Sequence, residues 1–173
     1  MKFLNSDIDI STLPKAETVK LIPIDGRYYT VLIYYQLVYF TIYCIAMLIT
    51  MILNSEFHSF FVAGLTVALF TLICYLSFKL IYLNFKNKAY AIREHDIIYQ
   101  TGWWRKSLHV CPFNRIQHCS IDARVFERNL GISKLKIYSA GMSNSDIAIP
   151  GLTLEDANNL RELIIQKIKQ ETV

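Results

Sequence analysis

Cysteine is scarce and unpaired in this 173-residue chain: Cys44, Cys74, Cys111 and Cys119 make no CxxC, and two of them sit inside apolar runs. That pattern excludes the disulfide framework of a small secreted domain. Excess charge is lacking too. A formal net charge of +4 is too modest for a nucleic-acid binder, so no nucleic acid is expected among the partners. No GxSxG, HExxH or P-loop occurs, so no catalytic residue and no cofactor are expected, and the chain reads as a non-enzyme. His109, Cys111, His118 and Cys119 are the nearest approach to a metal-ligand set. In a strand, residues 118 and 119 point to opposite faces, so the four do not converge and no metal site is expected. Basic residues are absent from Asn54 to Ser59, and charge of either sign is absent from Val31 to Leu53.

Apolar residues are what the chain has in abundance: 53% of the total, with a mean hydropathy of +0.29. They concentrate between Tyr28 and Phe85. The run from Val31 to Leu53 makes a helix of roughly 34 Å, enough to cross a hydrocarbon core of about 30 Å. The second run, Phe60 to Asn84, carries one charge, Lys79, placed near its end where the amine snorkels to the headgroups. Tyr28, Tyr29 and Tyr82 sit where interfacial aromatics belong. Neither run has the continuous polar stripe of a soluble bundle helix. The first begins too late and runs too long for a signal peptide. The linker of six residues forces an antiparallel hairpin. Lys2, Lys15, Lys20 and Arg27 precede it, and Lys86, Lys88 and Arg93 follow it. The positive-inside rule then predicts a multi-pass protein of the cell membrane with both termini cytosolic. Three regions are expected: a cytosolic segment over 1–27, a two-helix transmembrane hairpin over 28–85, and a cytosolic domain over 86–173.

From Ala89 the pattern changes to short β-type runs. Tyr90–Ile92 and Ile97–Gln100 flank a polar turn. Thr101-Gly102 leads into a run from Trp103 to Cys111, and Pro112-Phe113-Asn114 separates it from Ile116–Ile121. Lys134 to Tyr138 alternates charged and apolar residues, as a half-buried strand does. Asp146–Ile149 is a last strand, with Pro150-Gly151 as its stop. Val125, Phe126 and Leu130 suit a helical turn ended by Gly131, their apolar groups plugging the rim of a barrel. Thr153 and Asp156 approximate a capping box, and Leu154, Ala157, Leu160, Ile164 and Ile168 follow at helical spacing. The predicted fold is a membrane α-helical hairpin plus an α+β or all-β domain, a six- or seven-stranded antiparallel barrel or sandwich closed by a C-terminal helix.

Several stretches carry a resemblance: Gly102-Trp103-Trp104-Arg105-Lys106, Arg115-Ile116-Gln117-His118, Val125 to Gly131, Leu135 to Gly141, and Ile149-Pro150-Gly151-Leu152. In that order, behind a two-helix hairpin, the chain resembles the bacterial PH-like membrane proteins of the YdbS type. Cys119-Ser120-Ile121-Asp122 departs from that pattern, which tends to have a Val-rich strand there. The resemblance implies a membrane-anchored PH-like domain without established catalytic activity, often accompanied by a larger relative with several such domains, and in some members a link to tolerance of membrane-acting peptides.

Between Lys86 and Lys136 there are ten basic and four acidic residues. Arg105, Lys106, Arg115, Arg124, Arg128, Lys134 and Lys136 are therefore candidate lipid or partner contacts, as are Trp103 and Trp104. The alternative is a solvated strand face with some charges paired to Glu127 and Asp122. Three functions compete. The first is a non-enzymatic interaction and assembly module at the cytosolic face, with the bilayer and a membrane protein or a second copy as partners, joined to a larger related protein and to envelope-stress tolerance. The second is a sensor of anionic lipid or phosphate headgroups, and the third a subunit of a small transport assembly.

Overall fold

The computed structural model of the protein describes residues 19–53, 60–139 and 147–171. The hairpin linker and Asp146 lie outside the described residues. The chain runs β1 (Ile22–Pro23), α1 (Arg27–Leu53), α2 (Phe60–Lys86), β2 (Ala89–Ile92), β3 (Asp96–Thr101) and β4 (Ser107–Pro112). After a short 3-10 turn at Phe113–Arg115 come β5 (Ile116–Asp122), α3 (Val125–Asn129), β6 (Ile132–Ser139), β7 (Ile147–Thr153) and α4 (Leu154–Glu171).

Asp25 starts α1: its Oδ1 accepts the Arg27 backbone N–H at 2.8 Å, one of the donors a helix start leaves unmatched. At the far end of the pair, the Asn87 side-chain amide donates to the Leu83 carbonyl at 2.7 Å and closes α2. Each helix has 27 residues and is long and apolar enough to cross a membrane. Their ring contacts run in opposite order along the two chains. Tyr29 meets Tyr82 and Phe85, Phe40 meets Phe78, and Tyr43 stacks on Phe70 at 4.8 Å. The pair is thus antiparallel. Hydroxyls within it turn back on their own helices: Thr41 donates to Leu37 O, Thr71 to Val67 O and Ser77 to Ile73 O.

The strands form two antiparallel sheets, β1-β2-β3-β4 and β5-β6-β7. The expected closed barrel is therefore corrected to an open two-sheet sandwich. Pro112 ends β4 without an N–H to offer, and the 3-10 turn carries the chain from one sheet to the other without a β4–β5 ladder. α4 covers the opening. Its Ala157 and Ile164 are fully buried, Leu160 is half-buried and Leu154 stays exposed. Thr153 Oγ1 accepts the Asp156 N–H at 3.0 Å and its hydroxyl donates to the Asp156 carboxylate at 2.7 Å, so the expected capping pair forms. The core between the sheets holds Ile97, Phe113, Leu135, Ile137 and Ile149, all fully buried.

Three further expectations change. β1 was not read from the sequence; Ile22 and Pro23 pair with Tyr90 and Ala89, so the hairpin is an insertion between two neighbouring strands of one sheet. Pro150-Gly151 does not stop β7, which continues to Thr153. Between the pairs Ser133–Leu152 and Leu135–Ile149, two residues of β7 face one of β6, a bulge that Gly151 enters at φ +67°. β7 is an edge strand, where a proline costs no ladder bond to a further neighbour. Finally, the strand expected from Trp103 begins at Ser107. Gly102 takes φ +91°, and a Cβ there would lie 2.1 Å from the Arg105 carbonyl oxygen, so residues 102–106 are held in a tight turn.

Candidate functional site

The surface that matters is where the hairpin enters the domain, because both helices are built into it. Tyr28 and Val31 of α1 belong to the domain core, with Val31 at 0% exposure. Gly151 makes this approach feasible: a Cβ there would stand 2.9 Å from the Tyr28 Cβ, and its carbonyl accepts the Asp25 N–H at 2.9 Å. Arg27 forks onto the Asp25 carboxylate, with Nη2–Oδ2 at 2.8 Å, and donates from Nη1 to the Leu130 carbonyl at 3.2 Å. That guanidinium holds the Asp25 carboxyl below its ordinary range.

Around this entry lies a small polar cluster. Lys88 Nζ stands 5.1 Å from the centre of the Tyr28 ring, a cation–π contact. Burial, aided by the charge of Lys134, pushes the Lys88 amine down from its usual value. Glu127 of α3 is 2% exposed; its carboxylate accepts the Arg124 N–H at 2.8 Å and faces Lys134 Nζ at 3.9 Å. A buried carboxylate needs such partners.

The candidate contacts fall into separate groups. Trp103, Trp104, Arg105 and Lys106 make up the β3–β4 turn and are exposed, Trp104 at 89%. The Trp103 N–H donates to Asn84 Oδ1 at 3.1 Å, which seats the turn against the end of α2. Arg124 caps the start of α3, Arg128 lies in its last turn, and both are exposed. Phe126 between them packs on α1, 5.6 Å from the Tyr34 ring and 5.0 Å from that of Tyr35. It also packs against the domain core, as does Leu130, whereas Val125, expected to join them as a rim plug, is 62% exposed. Lys134 and Lys136 are paired, with Glu127 and Asp122 respectively, and the Asp122 contact raises the Lys136 amine. Arg115 lies at the other end of β4 from the tryptophan turn, about 20 Å of strand away. These charges do not build one continuous basic face.

The entry of α1 into the domain core, the packing of α3 on α1 and the role of Asn84 were not read from the sequence. Of these only α3 left a signal, in its paired arginines around an aromatic residue. Among the described residues no grouping of His, Cys, Asp or Glu is arranged to hold a metal ion. His118 stacks on Tyr138 at 4.3 Å, Cys111 is buried, and burial pushes the Cys119 thiol up to about 11.

No curated protein and no solved structure matches the chain. A family model for the bacterial PH domain matches residues 30–168, from the second turn of α1 through both helices and both sheets into α4. Two apolar helices, sheets of four and three strands and a C-terminal helix fit a PH-like fold. The chain belongs to the bacterial PH domain family.

Proposed function

We propose that this protein is a non-enzymatic, membrane-anchored interaction module of the YdbS type, with its hairpin across the cell membrane and both termini and the PH-like domain in the cytosol. The observation that carries this reading is the insertion of the hairpin between β1 and β2, with Tyr28 and Val31 in the domain core. A domain fused this way is held at the membrane, so it needs no lipid affinity to arrive there. Its free surfaces then serve assembly. β4 is the outer strand of its sheet, and Leu108, His109 and Val110 are exposed along it. An unpaired edge with apolar side chains is a template for a partner strand. The partner we infer is a membrane protein, a larger relative or a second copy.

The sensor reading draws on Arg105, Lys106, Arg124 and Arg128, which stand exposed beside the helices; Lys134, Lys136 and Arg115 do not join them. The transport reading is weakened by hydroxyls that bond within their own helices. Affinity capture of the full chain from membranes in mild detergent tests the assembly reading. A stoichiometric membrane-protein partner that is lost when Val110 becomes Lys supports it. A chain recovered alone and monomeric sinks it. The topology has its own test in a background free of native cysteines. A cysteine at position 55 reacts with an impermeant thiol reagent on intact cells, and one at the exposed position 114 does not. The reverse pattern inverts the topology.

A further inference from the structure

The hairpin supplies a depth scale. Twenty residues of helix cover about 30 Å, the thickness of the hydrocarbon core. Counted back from Leu53 along α1, that distance ends at Tyr34. Counted forward from Phe60 along α2, it ends at Lys79, the only charge within that stretch. The two positions lie at matching depth, between the Phe40–Phe78 contact and the Tyr29–Tyr82 contact. On the membrane-anchored reading they mark the cytosolic edge of the hydrocarbon.

Two pieces of the domain reach that edge, one on each helix. α3 does so through Phe126, which packs on Tyr34 and Tyr35, and beside it Val125 is 62% exposed. The β3–β4 turn is held by Asn84, five residues beyond Lys79, or roughly 7 Å further out and so in the headgroup zone. There Trp104 projects uncovered, and Trp103 meets it edge-on at 5.9 Å. Each piece pairs an exposed apolar group with two exposed basic ones: Val125 with Arg124 and Arg128, Trp104 with Arg105 and Lys106.

We propose that α3 and the β3–β4 turn are two prongs that clasp the headgroups of anionic phospholipid on either side of the hairpin. Val125 and Trp104 enter the interface, and the flanking cations meet lipid phosphates. This deepens the membrane-anchored reading and rests on it. Tryptophan favours the headgroup level, and a basic side chain close to an anionic leaflet enriches the local lipid roughly fivefold. The prongs do not recruit the domain. They set its tilt, so the charge of the leaflet governs which way its outer edge faces.

The chain has two tryptophans, Trp103 and Trp104, so its own fluorescence reports one prong. The full-length protein is placed in vesicles of phosphatidylglycerol and phosphatidylcholine, with quencher attached to the lipid headgroup, attached to the acyl-chain terminus, or dissolved as acrylamide. In the Trp103→Phe variant, Trp104 is quenched most by the headgroup label and weakly by acrylamide. A Val125→Trp probe, with both native tryptophans changed to Phe, responds to a label high on the acyl chain. Arg105→Glu with Lys106→Glu lowers the enrichment of labelled phosphatidylglycerol over phosphatidylcholine around the protein by fivefold or more. Trp104 as open to acrylamide as free tryptophan, or shielded from both acrylamide and the headgroup label by a second protein, overturns the proposal; so does unchanged enrichment in the double variant. An alkaline wash separates the two levels. Protein that stays in the vesicles with a water-exposed Trp104 sinks the prongs alone, and protein released into the wash sinks the anchored reading as well.

Discussion

The two parts of α1 are alike in composition and opposite in surroundings. From Arg27 to Tyr35 the helix is packed by protein: Tyr28 and Val31 are buried, and Leu32 and Tyr35 lean on the same core. From Gln36 to Leu53 almost every side chain is open, with Ile52 and Leu53 at 77% and 76% exposure. Both parts are rich in Tyr, Ile, Leu and Val. What separates them is the neighbour. Gly151, lacking a side chain, admits Tyr28, and Phe126 reaches Tyr35; beyond that point the ring contacts of α1 among the described residues are with α2. An apolar helix face thus states that water must be excluded, without stating whether protein or lipid excludes it.

The most severe way to break this comparison is to cut the domain from its helices. A fragment from Lys88 to Val173 loses β1 together with Ile24, Tyr28 and Val31. At about 1.5–3 kcal/mol for each buried side chain, the loss rivals the whole stability of a small domain, about 5–15 kcal/mol. The fragment is expected to bind a hydrophobic dye and to show no cooperative melt by circular dichroism. A sharp melt near that of the full chain would show that the root of α1 is dispensable. Next in size, Gly151→Ala forces a side chain into a left-handed position and against Tyr28. It is expected to cost about 2–4 kcal/mol, seen as a lowered melting temperature in mild detergent.

A matched pair of substitutions sharpens the contrast within the helix. Val31→Ala removes methyl groups from a sealed core and is expected to cost about 2 kcal/mol. Val38→Ala, at an open position, is expected to change the domain's stability by less than about 0.5 kcal/mol. Equal effects would mean that both parts of α1 share one environment. The smallest effect concerns pH at the entry. The Lys88 amine has a folded-state pKa below its unfolded value, so its charged form burdens the fold at neutral pH. That burden lifts as pH rises through the folded value toward the ordinary lysine value of about 10.4, where the unfolded chain holds more protons than the folded one. Subtracting the stability of Lys88→Met from that of the wild type should give a difference that moves in the wild type's favour as the pH rises toward the ordinary lysine value. Tyr90 and Tyr99, raised by burial, titrate alike in both proteins and cancel. A flat difference would place Lys88 in water.

Much of this architecture was legible because strand periodicity is local. The alternation from Lys134 to Tyr138 gave β6, and Thr153 with Asp156 marked the start of α4. What escaped was set by distant contacts. β1 has two residues and no period of its own, and it becomes a strand only because Tyr90 and Ala89 pair with it. Pro150-Gly151 reads locally as a stop, yet a bulge on an edge strand absorbs it. At the candidate site, the sequence counted cations correctly but did not place them. Lys136 meets Asp122 across a strand pair, Lys134 meets Glu127 on another element, and Arg115 sits at the opposite end of β4 from Arg105. The tryptophan turn is tied to α2 by a hydrogen bond that the Trp103 N–H donates to Asn84, a residue with no distinguishing mark in the sequence.

The insertion of the hairpin between β1 and β2 also orders events in time. During synthesis β1 and the root of α1 emerge before their partner strand, which cannot appear until both helices have been made. The residue that seats Tyr28, Gly151, comes later still, in β7. β1 therefore waits for β2 and β7, and the domain can complete its core only after both helices have been made. On the membrane-anchored reading proposed above, a chain whose second helix fails to insert would carry β2 away from β1 and leave Tyr28 and Val31 bare, so faulty insertion would be converted into an unfolded domain open to cellular proteolysis.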